Sequence, residues 1–132
     1  MATKEQWKDM AAGAAQKATE AAQSAAKAAK YVAFVSKRKL AIAAEQEKIR
    51  RAYTKLGKVY YKDYVTDEEP DQAEYAPICD EISDSYRKIN ALKDEIADAK
   101  AAYSGETSAE EATKLEALAE PQTEEAETTS EE

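Results

Sequence analysis

One cysteine (Cys79), eight tyrosines and a dense population of carboxylates and lysines are the side chains of this 132-residue chain that carry chemistry. Histidine is absent. Cys79 therefore has no imidazole base, and cysteine–histidine nucleophilic catalysis is excluded. A position near the start of a helix lowers a thiol pKa, but a small, half-buried apolar residue beside Gly57 is the simpler reading of Cys79. Asp80, Glu81, Asp84, Asp94, Glu95 and Asp98 recur at helical spacing. Paired carboxylates do acid–base work only in a cleft that separates their pKa values, and a helical pair offers none. The Glu-x-x-His ligand pattern of di-iron bundles is impossible without histidine. The expectation is a non-enzymatic protein with no catalytic, cofactor-binding or metal-binding residues.

The lysines and tyrosines point to surfaces instead. Lys27, Lys48, Lys55 and Lys62 fall on one helical row, and Lys30, Lys37, Arg51 and Lys58 on the next. Lys48, Arg51, Lys55, Lys58, Tyr61 and Lys62 form the candidate interaction surface. Such a ribbon suits an anionic polymer or a membrane or granule surface, although most such faces are merely solvated. Tyr53, Tyr60, Tyr61, Tyr64 and Tyr75 gather in one region, where tyrosine serves either interfaces or local packing.

Charge is divided along the chain. Residues 1–64 carry 14 Lys and Arg against 6 Asp and Glu. Residues 65–103 carry 4 against 11, and residues 104–132 carry 1 against 10. The net −8 argues against nucleic acid as a partner, because the acidic tail competes for the same lysines. A single cysteine permits no internal disulfide. The N-terminus has no basic-then-apolar signal pattern, and no apolar run is long enough for a transmembrane segment, so the expected location is cytoplasmic.

The elements that position these groups are helices. From Trp7 to Tyr60 one heptad register runs unbroken, with Trp7, Ala14, Ala21, Ala28, Val35, Ile42, Ile49 and Leu56 at d. Position a holds Ala11, Ala18, Ala25, Val32, Lys39, Gln46, Tyr53 and Tyr60, so Lys39 and Gln46 are polar breaches. Thr3 and Gln6 have capping-box spacing for a first helix over residues 4–64. Residues 65–76 read as a turn, Pro77 as the first turn of a second helix reaching Tyr103, and Gly105 as its stop. That helix has Ile78, Ser85, Leu92 and Ala99 at d and Ile82, Ile89, Ile96 and Tyr103 at a.

The fold expected is all-α: a long antiparallel coiled-coil helical hairpin over 35–103, an extended Ala-rich N-terminal arm over 1–34, and an acidic tail over 104–132. Pairing a with d places Val35 opposite Tyr103, Tyr53 opposite Ser85, Arg38 near Glu95 and Glu45 near Lys88. The second helix then runs out, and Ala14, Ala18, Ala21, Ala25 and Ala28 face nothing. Three outcomes are open for this arm: a short helix over 108–119, started by Ser108 and Glu111, folds against it; a second copy or partner helix packs on it; or it frays. The polar end of the chain, from Glu120, is expected to be disordered.

Residues 36–100 resemble small bacterial helical-hairpin proteins of Gram-positive type. The likeness rests on Ser36-Lys37-Arg38-Lys39-Leu40, Leu56-Gly57-Lys58-Val59-Tyr60-Tyr61 and Ile78-Cys79-Asp80-Glu81-Ile82 around an acidic loop. Many such proteins end in a zinc ribbon with paired CxxC knuckles. This chain has no cysteine after Cys79, so no metal-linked role transfers. The resemblance implies a hairpin and no reaction. The function expected is a non-enzymatic coiled-coil interaction or scaffold protein. The alternative is binding to an anionic polymer or a membrane or granule surface through the basic ribbon, modulated by the acidic tail.

Overall fold

The computed structural model describes residues 3–120, and the disorder expected after Glu120 concerns residues outside that range. The described chain is all-helical, with α1 at Lys4–Thr66, α2 at Gln72–Glu106 and α3 at Ala109–Leu118. No strand occurs among the described residues.

Each helix starts on a side-chain cap that satisfies otherwise orphaned N–H groups. Thr3 accepts from the Gln6 amide while the Gln6 side chain accepts from the Thr3 amide at 2.9 Å. Asp71 accepts from Ala73 at 3.0 Å, and Ser108 accepts from Glu111 at 3.2 Å. The Asp71 cap starts α2 before Pro77, so this proline lies inside the helix rather than in its first turn. Two contacts to α1 hold the opening of α2: Tyr75 donates to Asp63 at 2.7 Å, and Lys62 pairs with Glu74 at 3.2 Å. α1 ends on Asp67, whose φ of 56° is left-handed, and the Glu68 amide bonds back to the Asp63 carbonyl at 3.0 Å. The connection between the long helices is thus residues 67–71, tighter than the expected 65–76.

The long helices run in opposite directions. Cross-helix partners progress from Lys55–Glu81 at 4.0 Å through Arg38–Glu95 at 3.5 Å to Lys27–Glu106 at 3.6 Å. The face α2 presents is the expected one: Ile82, Ser85, Ile89, Ile96 and Tyr103 are buried. The face of α1 is not. Its buried residues are Tyr31, Val35, Glu45, Ile49, Ala52 and Asp63, which occupy d and g. Tyr53 and Tyr60 of row a are 51% and 64% exposed. α1 is therefore rolled by about 60° from the a/d expectation, because g replaces a beside d. The residues supply the reason. Row a contains Lys39, Gln46 and two tyrosines whose hydroxyls reach water, whereas row g offers Tyr31 and Ala52 to the isoleucines. Burying a residue such as Ile82, Ile89 or Ile96 stabilises by about 2 kcal/mol.

The packed region has two clusters. Near the tip, Ile49, Ala52, Ile82 and Ile89 pack together, flanked by Ile42, Leu56 and Ile78. At the open end, Tyr31, Val35, Ile96 and Tyr103 join Ala112 and Ala119 of the α3 region. Tyr103 stacks on Tyr31 with centroids 4.6 Å apart, one turn beyond Val35, the partner that a/d pairing assigns it. A 10-residue helix is marginal alone. Docking of Ala112 and Ala119, with the Lys100–Glu116 pair at 2.9 Å, holds α3. α3 covers α1 around Tyr31 and Val35, not the Ala stripe of the arm, so the first of the three open outcomes is not the one seen. A methyl group at Gly57 would meet nothing within 4 Å, so no close packing requires a glycine there.

Glu45 is a charged residue inside the seam, 8% exposed. Ser85 opposite it lowers its pKa most, and Lys48 and Lys88 reinforce that effect. The Ser85 contact falls short of strict hydrogen-bond geometry, since Glu45 Oε2 is buried without a bonded partner. A lowered folded pKa gives stability that is present above the ordinary glutamate pKa of about 4.3 and lost as pH falls through the folded value. The full chain should therefore melt above its Glu45→Gln variant at neutral pH, with the gap closing below about pH 4. Melting curves followed by circular dichroism across that range check this; a gap that does not change with pH contradicts it.

Candidate interaction surfaces

The roll of α1 divides the basic ribbon. At about 100° per residue, a d/g seam brings row c (Lys27, Lys48, Lys55 and Lys62) to its edge and leaves row f (Lys30, Lys37, Arg51 and Lys58) outside. Row c accordingly meets carboxylates of α2: Lys55 with Glu81, Lys62 with Glu74 and Lys27 with Glu106. The hydrogen bond from Lys62 to Glu74 raises the lysine pKa. Lys48, also in row c, pairs with Glu45 at 3.2 Å. Row c therefore lies within reach of α2 and is ion-paired inside the chain. In row f, Arg51 pairs with Glu47 at 3.3 Å on the same helix. All six candidate residues are exposed, with Lys48, Arg51, Lys55 and Lys62 each ion-paired within the chain.

Four other features stand out. The first is the arm. Beyond Lys27, residues 4–26 extend about 35 Å as helix with no neighbouring helix among the described residues. Ala14, Ala18, Ala21 and Ala25 are exposed and Ala28 is half-buried, while Trp7 and Met10 are each 63% exposed.

The second is a groove of about 490 Å³ between α1 and α2 at the end of α3. Ile42, Ala43, Ile96 and Ala97 floor it, and Lys39, Lys93 and Lys100 rim it with Glu116 and Glu120. Lys39 pairs with Glu120 and donates to the Glu116 carbonyl at 3.3 Å. Lys100 is raised in pKa by its hydrogen bond to Glu116. The lysine charge of the groove is therefore largely answered within the chain. Spacing alone does not reveal this groove, although Lys39 and Gln46 interrupting row a are its signal.

The third is Tyr31, whose hydroxyl is buried without a hydrogen-bond partner among the described residues. Burial, then Glu116, raises its pKa. The fourth is the hairpin tip. Tyr60, Tyr64 and Tyr75 line a cleft of about 260 Å³ with Asp63, Asp67, Glu68 and Pro70. Tyr61 and Val65 beside it are 67% and 60% exposed.

Cys79 is exposed rather than half-buried, and no group of His, Cys, Asp or Glu among the described residues is placed to hold a metal ion. Among the described residues no helix is long and apolar enough to cross a membrane. Comparison with family models, curated proteins and solved structures found no match.

The Asp63 carboxylate, by accepting from Tyr75, pushes the Tyr75 pKa up to about 12. The bond is intact below the ordinary tyrosine value of about 10 and is lost as pH rises through the folded value. In absorbance titration of the folded chain, the last tyrosine to ionise should disappear in Tyr75→Phe. A late step that persists in that variant contradicts the assignment.

Proposed function

We propose that this chain is a non-enzymatic interaction or scaffold protein, an antiparallel coiled-coil hairpin that offers its Ala-rich arm to a second copy or a partner helix. The observation that supports this reading is the arm itself: it continues α1 as helix while its stripe of Ala14, Ala18, Ala21 and Ala25 stays exposed. Most helical stability in proteins comes from packing of one face, which this arm lacks among the described residues, and small residues permit close helix approach. The hairpin supplies a rigid base, so the arm enters any pairing with much of its ordering cost already met. The resemblance of residues 36–100 to Gram-positive helical-hairpin proteins belongs to the same proposal and adds no reaction.

A second reading, binding to an anionic polymer or a membrane or granule surface, rests on row f, where Lys30, Lys37 and Lys58 extend along the outer side of α1. It is the weaker of the two, because row c is occupied by α2 carboxylates.

Sedimentation of the full chain over a wide concentration range tests the first reading. Reversible association is expected, and Ala21→Arg on the stripe should weaken it at least about tenfold, as a desolvated guanidinium opposes close packing. A chain that stays monomeric throughout and recovers no partner in pull-downs contradicts it.

A further inference from the structure

We infer that the cleft at the hairpin tip is a binding site for an organic cation, and that its occupant is an arginine side chain from a basic peptide segment of another protein. Tyr60, Tyr64 and Tyr75 line the cleft together with Asp67 and Glu68. The faces of tyrosine rings carry negative quadrupole density and attract guanidinium or ammonium groups. Carboxylates add charge-assisted hydrogen bonds, for which the planar guanidinium is better suited than a point charge. The cleft, about 260 Å³, has room for one such head group and part of its stem.

Its walls are fixed in advance. The 2.7 Å bond from Tyr75 to Asp63 holds one ring against α1. The Glu68 amide, bonded to the Asp63 carbonyl at 3.0 Å, holds the loop carrying the two carboxylates. Of the carboxylates lining the cleft, Asp63 accepts from Tyr75 and Glu68 feels the charge of Lys62. Asp67 and Glu68 make no ion pair among the described residues, and the nearby Lys62 is taken by Glu74. The surrounding run of Asp67, Glu68, Glu69 and Asp71 would repel an anion and attract a cationic segment.

Exposure points the same way. Tyr64 is 74% exposed, and Tyr60, Tyr61 and Val65 continue the patch. Concentrated exposed aromatic surface of this kind marks interaction sites. The chain's own basic arm lies at the far end of α1, whose 63 residues span about 95 Å, so the cation comes from another molecule. This inference is independent of the arm pairing proposed above, since the two surfaces lie at opposite ends of α1.

Titration calorimetry of the full chain with an arginine-containing, otherwise neutral peptide tests the site, with citrulline in place of arginine as control. Saturable binding is expected for the arginine peptide alone. Tyr64→Ala should weaken it about tenfold, and Tyr64→Phe should keep it. The Asp67→Asn, Glu68→Gln double variant should weaken it by a similar factor. The Glu110→Gln, Glu111→Gln double variant, with the same charge change on α3, should not. Absence of binding, equal binding of the citrulline peptide, wild-type binding by Tyr64→Ala, or equal loss in the α3 variant would each overturn the proposal. Self-association that Tyr64→Ala abolishes, with no peptide binding, would also overturn it and assign the cleft to a second copy.

Discussion

Burial of the isoleucine row of α2 requires a strip of α1 that can be desolvated, and the choice of strip sets almost everything else about the molecule. Ile82, Ile89 and Ile96 present branched side chains at seven-residue intervals. Row a of α1 would meet them with a lysine, a glutamine and two tyrosines. Row g meets them with Tyr31, Ala52 and two charged residues, Arg38 and Glu45, that find complementary groups on α2. A lysine without a carboxylate in that seam would cost several kcal/mol of desolvation. The roll toward g avoids this.

The consequences spread outward from that strip. Rolling α1 turns row c into an edge, so lysines that would otherwise have formed an outer cationic ribbon become the partners of Glu74, Glu81 and Glu106. It turns row a outward, which leaves Lys39 to receive the end of α3 and the tip tyrosines to line an open cleft. The unequal lengths of α1 and α2, 63 and 35 residues, do the rest. α3 caps the open end of the hairpin, and the arm projects past it.

How much of this is legible in the residues follows from which interactions are local. Helix starts are readable at Thr3 and Ser108, because a cap depends on residues three apart. The buried face of α2 is readable because one row of it is consistently large and apolar. The start of α2 is not, because Pro77 carries a strong first-turn preference that the Asp71 cap and the Tyr75–Asp63 bond outweigh. Nor is the seam of α1, because rows a and g are both mixed and only a partner decides between them. Lys39 and Gln46 in row a are the available warning. The tyrosines at the tip are visible as a group, but their meeting with Asp67 and Glu68 depends on a turn between two long helices that spacing alone does not specify.

The most direct test of the d/g seam is hydroxyl-radical footprinting of the native chain, read at the tyrosines. Tyr31 and Tyr103, buried and stacked on each other, should be protected, while Tyr53 and Tyr60 should be modified as readily as Tyr61 and Tyr64. Protection of Tyr53 and Tyr60 with ready modification of Tyr31 would place row a in the seam and contradict the arrangement on which the edge ion pairs and the tip cleft both depend.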